Sequence, residues 1–211
     1  YWKSTGLDGI RSWMIDKAGE GFLGFLLEFY NKCWEKGEIP SSWYETLISY
    51  IYKNKGKLQE LTSYRPIALT SMLANIFKTM WLHRIVPIVD KHLSHCQGGF
   101  RVGSGVKEQL WALLEFMEEG DNDETERIFC TTDVHKAFDQ VYRNGTIYLL
   151  YGMGVRGKML HMLDQWISRN YAVQKWRGHT GDRVELTANG LRQGCTPVSY
   201  THLTLPTNDL G

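Results

Sequence analysis

Segments with helical apolar spacing alternate along this chain with short aromatic and β-branched runs, yet the two never settle into a repeating strand–helix–strand rhythm. That irregular alternation argues for an α+β fold, with helices packed on one face of a mainly antiparallel sheet. Gly21 to Lys36 sets Phe22, Phe25, Leu26, Phe29, Tyr30, Cys33 and Trp34 at the spacing of an amphipathic helix, stopped by Gly37 and followed by Pro40. Trp43 to Tyr52 reads as a strand and the polar Lys53 to Ser63 as a hairpin or loop. Ser71 to His92 predicts a second helix bent near Pro87, and a turn at Gln97 to Arg101 precedes a third over Ser104 to Glu118. The acidic loop Glu119 to Glu126 leads into an expected strand, Arg127 to Asp133. Helices are expected over Asn144 to Tyr151 and Lys158 to Arg169, then a hairpin of Tyr171 to Trp176 and Arg183 to Thr187 across Gly178 to Gly181.

With 211 residues the chain is one large domain or two small lobes, and 43% apolar content is enough for a core. Mean hydropathy is −0.34, and no apolar run approaches the ~20 residues of a membrane span. No leader peptide is readable, although the chain begins at Tyr1 rather than Met. The net charge of +1 says little, because a nucleic-acid groove needs local rather than total positive charge. Locally, Lys53, Lys55, Lys57 and Arg65 form one basic cluster and Arg169, Lys175, Arg177 and Arg183 another; each is either a solvated face or part of such a groove. Cys33, Cys96, Cys130 and Cys195 are widely spaced without a CxxC pair, which points to a reducing, intracellular setting. His92, His95 and Cys96 lie close together but lack the second ligand pair of a zinc site.

The chemistry concentrates at Phe129-Cys130-Thr131-Thr132-Asp133-Val134-His135-Lys136-Ala137-Phe138-Asp139. A carboxylate at the end of a strand either caps the next helix or faces a cleft. In a cleft it is the ligand type that two-metal phosphoryl transfer requires. The run keeps company with Gly6-Leu7-Asp8-Gly9-Ile10, Ile39-Pro40-Ser41-Ser42-Trp43, Tyr64-Arg65-Pro66-Ile67-Ala68-Leu69, Gln97-Gly98-Gly99-Phe100-Arg101 and Gly190-Leu191-Arg192-Gln193-Gly194-Cys195. Any one of these is common, but together and in this order the sequence resembles the reverse transcriptases of non-LTR (LINE-type) retrotransposons.

The resemblance implies a right-hand polymerase fold, with fingers over about 1–125 and part of the palm over about 126–197, incomplete at both ends. It implies an RNA-directed DNA polymerase that uses two Mg2+ ions, an RNA template, a DNA primer and deoxynucleoside triphosphates. Asp133 would be the catalytic metal ligand, with the backbone carbonyl of Val134 completing one coordination sphere. Lys53 and Arg65 would grip the triphosphate, Arg as a fork and Lys as a point charge. Phe138 would be the gate against a ribose 2′-hydroxyl, Gln193 would contact the nascent base pair, and Gln97 and Arg101 the template. Asp139 would be structural. A nuclear or nucleic-acid-associated location follows if the source is eukaryotic.

The likeness ends at Pro197, and no adjacent acidic pair follows Asp133. Val198-Ser199-Tyr200-Thr201-His202-Leu203-Thr204-Leu205-Pro206-Thr207 reads as a translated transposase-type sequencing adapter, so 198–211 is expected to be non-native. Without its partner carboxylates this polypeptide is expected to be inactive. Two other readings remain at this point: a non-catalytic nucleic-acid-binding relic of a degenerate element, and a reverse transcriptase of the group II intron type.

Overall fold

A computed structural model describes residues 4–101, 103–122, 125–135, 137–176, 178–186 and 190. The first long helix, α2 (Glu20–Lys36), follows a short α1 (Ser12–Asp16) and buries Leu26, Tyr30 and Cys33, four and then three residues apart. Phe22 and Phe25, assigned to the same stripe by spacing, are instead 41% and 66% exposed. The helix closes as expected at Gly37, whose φ of +68° lets Gly37 N–H reach the Trp34 carbonyl and Glu38 N–H the Cys33 carbonyl.

A 3-10 turn (Ser41–Tyr44) feeds β1 (Glu45–Tyr52), and β2 (Tyr64–Leu69) pairs back on it antiparallel, from Leu47 opposite Leu69 to Tyr52 opposite Tyr64. Then come α3 (Met72–Val89), α4 (Val106–Asn122), α5 (Ala137–Gln140), α6 (Arg143–Gly152) and α7 (Gly157–Ser168). The hairpin of β3 (Tyr171–Trp176) and β4 (His179–Glu185) completes a sheet of order β2-β1-β3-β4. Two of its three pairings are antiparallel; the central one, β1 with β3, is parallel. The sheet of this α+β fold is therefore mixed, and its parallel pair spans a crossover through five helices.

The start of α3 explains an N-terminal motif. Ser71 accepts from Ala74 N–H, and Asp8 Oδ2 accepts from Met72 N–H at 3.0 Å, so two side chains satisfy the helix's first amides. Gly6 sits so close that a Cβ would lie 2.6 Å from the Thr70 carbonyl. The Gly6 to Ile10 run is thus the clasp that seats α3. Pro87 falls in the last turn of α3, and a 3-10 turn (Asp90–His92) follows.

The core is aromatic. Tyr30 stacks on Phe77 with centroids 5.1 Å apart, Trp43 and Trp81 flank Phe77, and Trp166 of α7 meets Trp81 edge-on at 5.7 Å. Lys78, 3% exposed, sets its ammonium 4.3 Å from the Trp166 ring centroid, a cation–π contact that offsets part of its burial. Tyr44 donates to Gln165 Oε1, and Gln165 Nε2 donates to the Gly37 carbonyl, tying α7 to the end of α2.

Two expected elements differ. The stretch Arg127 to Asp133 forms no strand: Ile128 is 85% and Phe129 61% exposed. A strand needs a ladder partner, and the described strands pair with one another. β4 begins at His179 rather than Arg183, so the turn before it is tighter than expected. Thr187 lies outside the described residues.

Candidate functional site

Strand register decides where the first pair of expected site residues points. Ile51 faces Arg65 across the β1–β2 ladder, and Lys53 N–H bonds the Ser63 carbonyl one step further on. Side chains alternate along strands, so Lys53, Ile51 and Arg65 emerge on one face. Ser49 faces Lys175 across β1 and β3, which adds Lys175 to that face. Two basic clusters more than 100 residues apart in sequence therefore contribute to one sheet face. Arg65 is exposed, and Lys53 Nζ donates to the Thr62 carbonyl at 2.8 Å, within its own hairpin loop.

Asp133 and Val134 lie in an exposed segment before α5, Val134 being 65% exposed. Among the described residues the Asp133 carboxylate makes no hydrogen bond or ion pair, so its oxygens are available to a hard cation. Magnesium takes one or two protein carboxylates and fills its shell with water and substrate phosphate. The Asp133 carboxylate is a donor of that kind. Phe138, on α5, is half-buried, and Asp139 is exposed.

The most tightly built contact here is one that sequence reasoning missed. Gly190 N–H donates to the Val141 carbonyl at 2.9 Å, and Arg143 Nε donates to the Gly190 carbonyl at 2.7 Å. A Cβ on Gly190 would lie 3.0 Å from the Asp139 carbonyl oxygen, and its φ is +88°. Arg143 is 5% exposed, and desolvation pulls its guanidinium below the ordinary arginine range. This clamp brings the start of the Gly190 to Cys195 run against the end of the Asp133 to Asp139 run. Gln193 itself lies outside the described residues.

The Gln97 to Arg101 turn is held from both sides. Arg101 Nε and Nη2 fork onto Asp90 Oδ1 and Oδ2 at 2.9 and 3.1 Å, while Nη1 donates to the Ser94 carbonyl. With its side chain 14% exposed, Arg101 is engaged within the protein. Gln97 Nε2 donates to the Gly99 carbonyl, and Phe100 is 53% exposed at a φ of +62°. Among the described residues no hydrogen bond, ion pair or ring contact joins Lys53 or Arg65 to Asp133 or Phe138.

With this sheet and these motif runs in place, residues 51–203 match the family described as "Reverse transcriptase (RNA-dependent DNA polymerase)", and the chain belongs to that family. Its members generally use divalent metals. The chain is 28% identical over 148 residues to the "RNA-directed DNA polymerase from mobile element jockey" of Drosophila melanogaster, covering 69% of this chain and 16% of that protein. It is 26% identical over 147 residues to the "Probable RNA-directed DNA polymerase from transposon BS" of the same fly, with the same coverage of each. To the fly's "Probable RNA-directed DNA polymerase from transposon X-element" it is 32% identical over 113 residues, 51% of this chain and 12% of the relative. The chain thus spans about a sixth of the length of the curated relatives it matches. The retrotransposon kinship read from the six runs is met.

Proposed function

We propose that this chain is the fingers and part of the palm of an RNA-directed DNA polymerase from a LINE-type mobile element. The observation that carries the reading is the family match over residues 51–203, which spans Lys53, Arg65, Asp133, Phe138 and Gln193. The intact enzyme joins a primer 3′-hydroxyl to the α-phosphate of a deoxynucleotide, and pyrophosphate leaves. Bound Mg2+ ions supply charge neutralisation at the attacking and leaving oxygens.

The chain's own part is positioning and fixed charge. Asp133 and the Val134 carbonyl offer oxygen ligands. Arg65 grips phosphate oxygens with its fork, and Lys53 swings from the Thr62 carbonyl to add a point charge. Phe138 sets a flat ring where a 2′-hydroxyl would collide, and Gln193 meets the nascent pair. Gln97 faces the template, whereas Arg101, engaged by Asp90, acts by holding that turn in shape. RNA template, DNA primer and deoxynucleotides are the partners, in an intracellular setting that is nuclear or nucleic-acid-associated if the source is eukaryotic.

The test is metal-dependent binding of a deoxynucleoside triphosphate to the chain. Lys53→Ala and Arg65→Ala should each weaken it about tenfold, with little effect on an unphosphorylated nucleoside. Equal affinity for triphosphate and nucleoside overturns the reading. The chain carries no adjacent acidic pair after Asp133, so primer extension is expected only from a longer polypeptide that supplies one.

A further inference from the structure

The sheet face opposite Lys53 and Arg65 has a different chemistry. The same registers put Tyr50, Tyr52, Tyr64, Gln174 and Trp176 on that side. Trp176 stands nearly perpendicular to both Tyr50 (5.5 Å between centroids, 71°) and Tyr64 (4.7 Å, 72°). Together with Gln174 and the loop Leu58 to Leu61, these rings line a pocket of about 260 Å³. That is below the ~300–1,000 Å³ of pockets for drug-sized ligands, and leaves room for one flat ring system.

The loop wall is fixed in advance. Tyr64 donates to the Leu58 carbonyl and Tyr52 to the Gly56 carbonyl, both within 2.9 Å. Gln59 and Gln174 each bring an amide donor and acceptor, able to read the edge of a planar ring. Lys57 pairs with the lining residue Glu60 at 3.6 Å, an exposed contact weak enough to yield to a phosphate. Lys55 and Lys57 stand beside the single acid Glu60 in the loop over the pocket, so its surroundings favour a polyanion.

We propose that this pocket holds one unpaired base of single-stranded RNA, on the side of the sheet away from the triphosphate-gripping residues. The proposal rests on the reverse transcriptase reading for its choice of RNA. Aromatic faces take any base by stacking, the amides hold its edge, and Lys55 and Lys57 meet the flanking phosphates.

The 211-residue chain is titrated with single-stranded RNA of about 12 nucleotides carrying one 2-aminopurine, within the site size of such platforms. Binding should quench the 2-aminopurine, Trp176→Leu should weaken it about tenfold, and Trp176→Phe should restore much of it. Gln174 is exposed, so Gln174→Ala keeps the fold and should still weaken binding about threefold. A fully abasic strand of the same length, used as an unlabelled competitor, should displace the 2-aminopurine strand about tenfold more weakly than intact RNA does. The proposal is overturned if both pocket variants bind as the wild type does, or if the abasic competitor displaces as well as intact RNA. It is also overturned if duplex RNA or single-stranded DNA alone is bound, or no RNA at all. Lys53→Ala and Arg65→Ala should leave the quench in place while losing triphosphate binding, so failure of the polymerase reading registers separately.

Discussion

A side chain at residue 190 has nowhere to go. Its φ of +88° disfavours any Cβ, and the Asp139 backbone stands 3.0 to 3.3 Å from where one would be. Gly190→Ala is therefore expected to destabilise the chain by about 1–3 kcal/mol, seen as a lower denaturant midpoint at unchanged slope. An unshifted midpoint would show that the contact with Asp139 is not formed. Asp8 makes a second single-residue case, because its carboxylate accepts from the α3 amide of Met72. Asp8→Ala should cost about 1 kcal/mol, and Asp8→Asn, which keeps an acceptor, only a fraction of that. Arg143 was invisible in the sequence for a physical reason. An arginine opening a helix ordinarily reads as a solvated charge, and only the fold reveals a carbonyl 47 positions away as its acceptor.

Among elements, the turn before α4 depends on the end of α3 through the Arg101–Asp90 fork. A lysine cannot reproduce two parallel N–H donors, so Arg101→Lys should cost about 1 kcal/mol and loosen residues 94–100 to hydrogen exchange ahead of global unfolding. Exchange in that turn matching the wild type would contradict it. The long helices were legible because apolar spacing dominates them, as in α2 and α7, whose boundaries fall within a residue or two of those read from spacing. β2 is not legible as a strand in the sequence, since Pro66 interrupts its run and proline cannot donate to a ladder. It is tolerated because β2 is the edge of the sheet. Arg127 to Asp133 shows the converse: a good strand composition does not make a strand without a neighbour to pair with. For the candidate site, the sequence order identified the runs, but the shared face of Lys53, Arg65 and Lys175 depends on a register that no spacing rule provides.

The whole molecule combines a buried aromatic core with a bare apolar flank. Leu110, Trp111, Leu114 and Met117 of α4 are 42% to 72% exposed, and Phe129 is 61% exposed. Apolar surface of this extent promotes association, so the chain should form concentration-dependent oligomers at micromolar levels. Trp111→Glu should shift light-scattering mass toward the monomer, and a wild type that stays monomeric would refute the expectation. The core also sets an alkaline limit. Burial raises the Tyr30 phenol far above its ordinary ~10 and lifts the Cys33 thiol as well. The folded state keeps protons that the unfolded chain releases, so this stabilisation is complete below those ordinary values and is lost as pH rises past them. Melting temperature should hold between about pH 7 and 8 and fall above about 9. Tyr30→Phe should start lower, having lost its bond to the Leu73 carbonyl, yet decline less steeply above about pH 10. The parallel pairing of β1 with β3 bears on how such a chain is made. β1 and β2 leave the ribosome roughly 100 residues ahead of β3, and at about 5–20 residues per second the sheet's open side waits on the order of 10 s for its neighbour. During synthesis that bare strand is the nascent polypeptide's most exposed template for mispairing, and a chaperone that shields it would be expected to raise soluble yield more than one that acts after release.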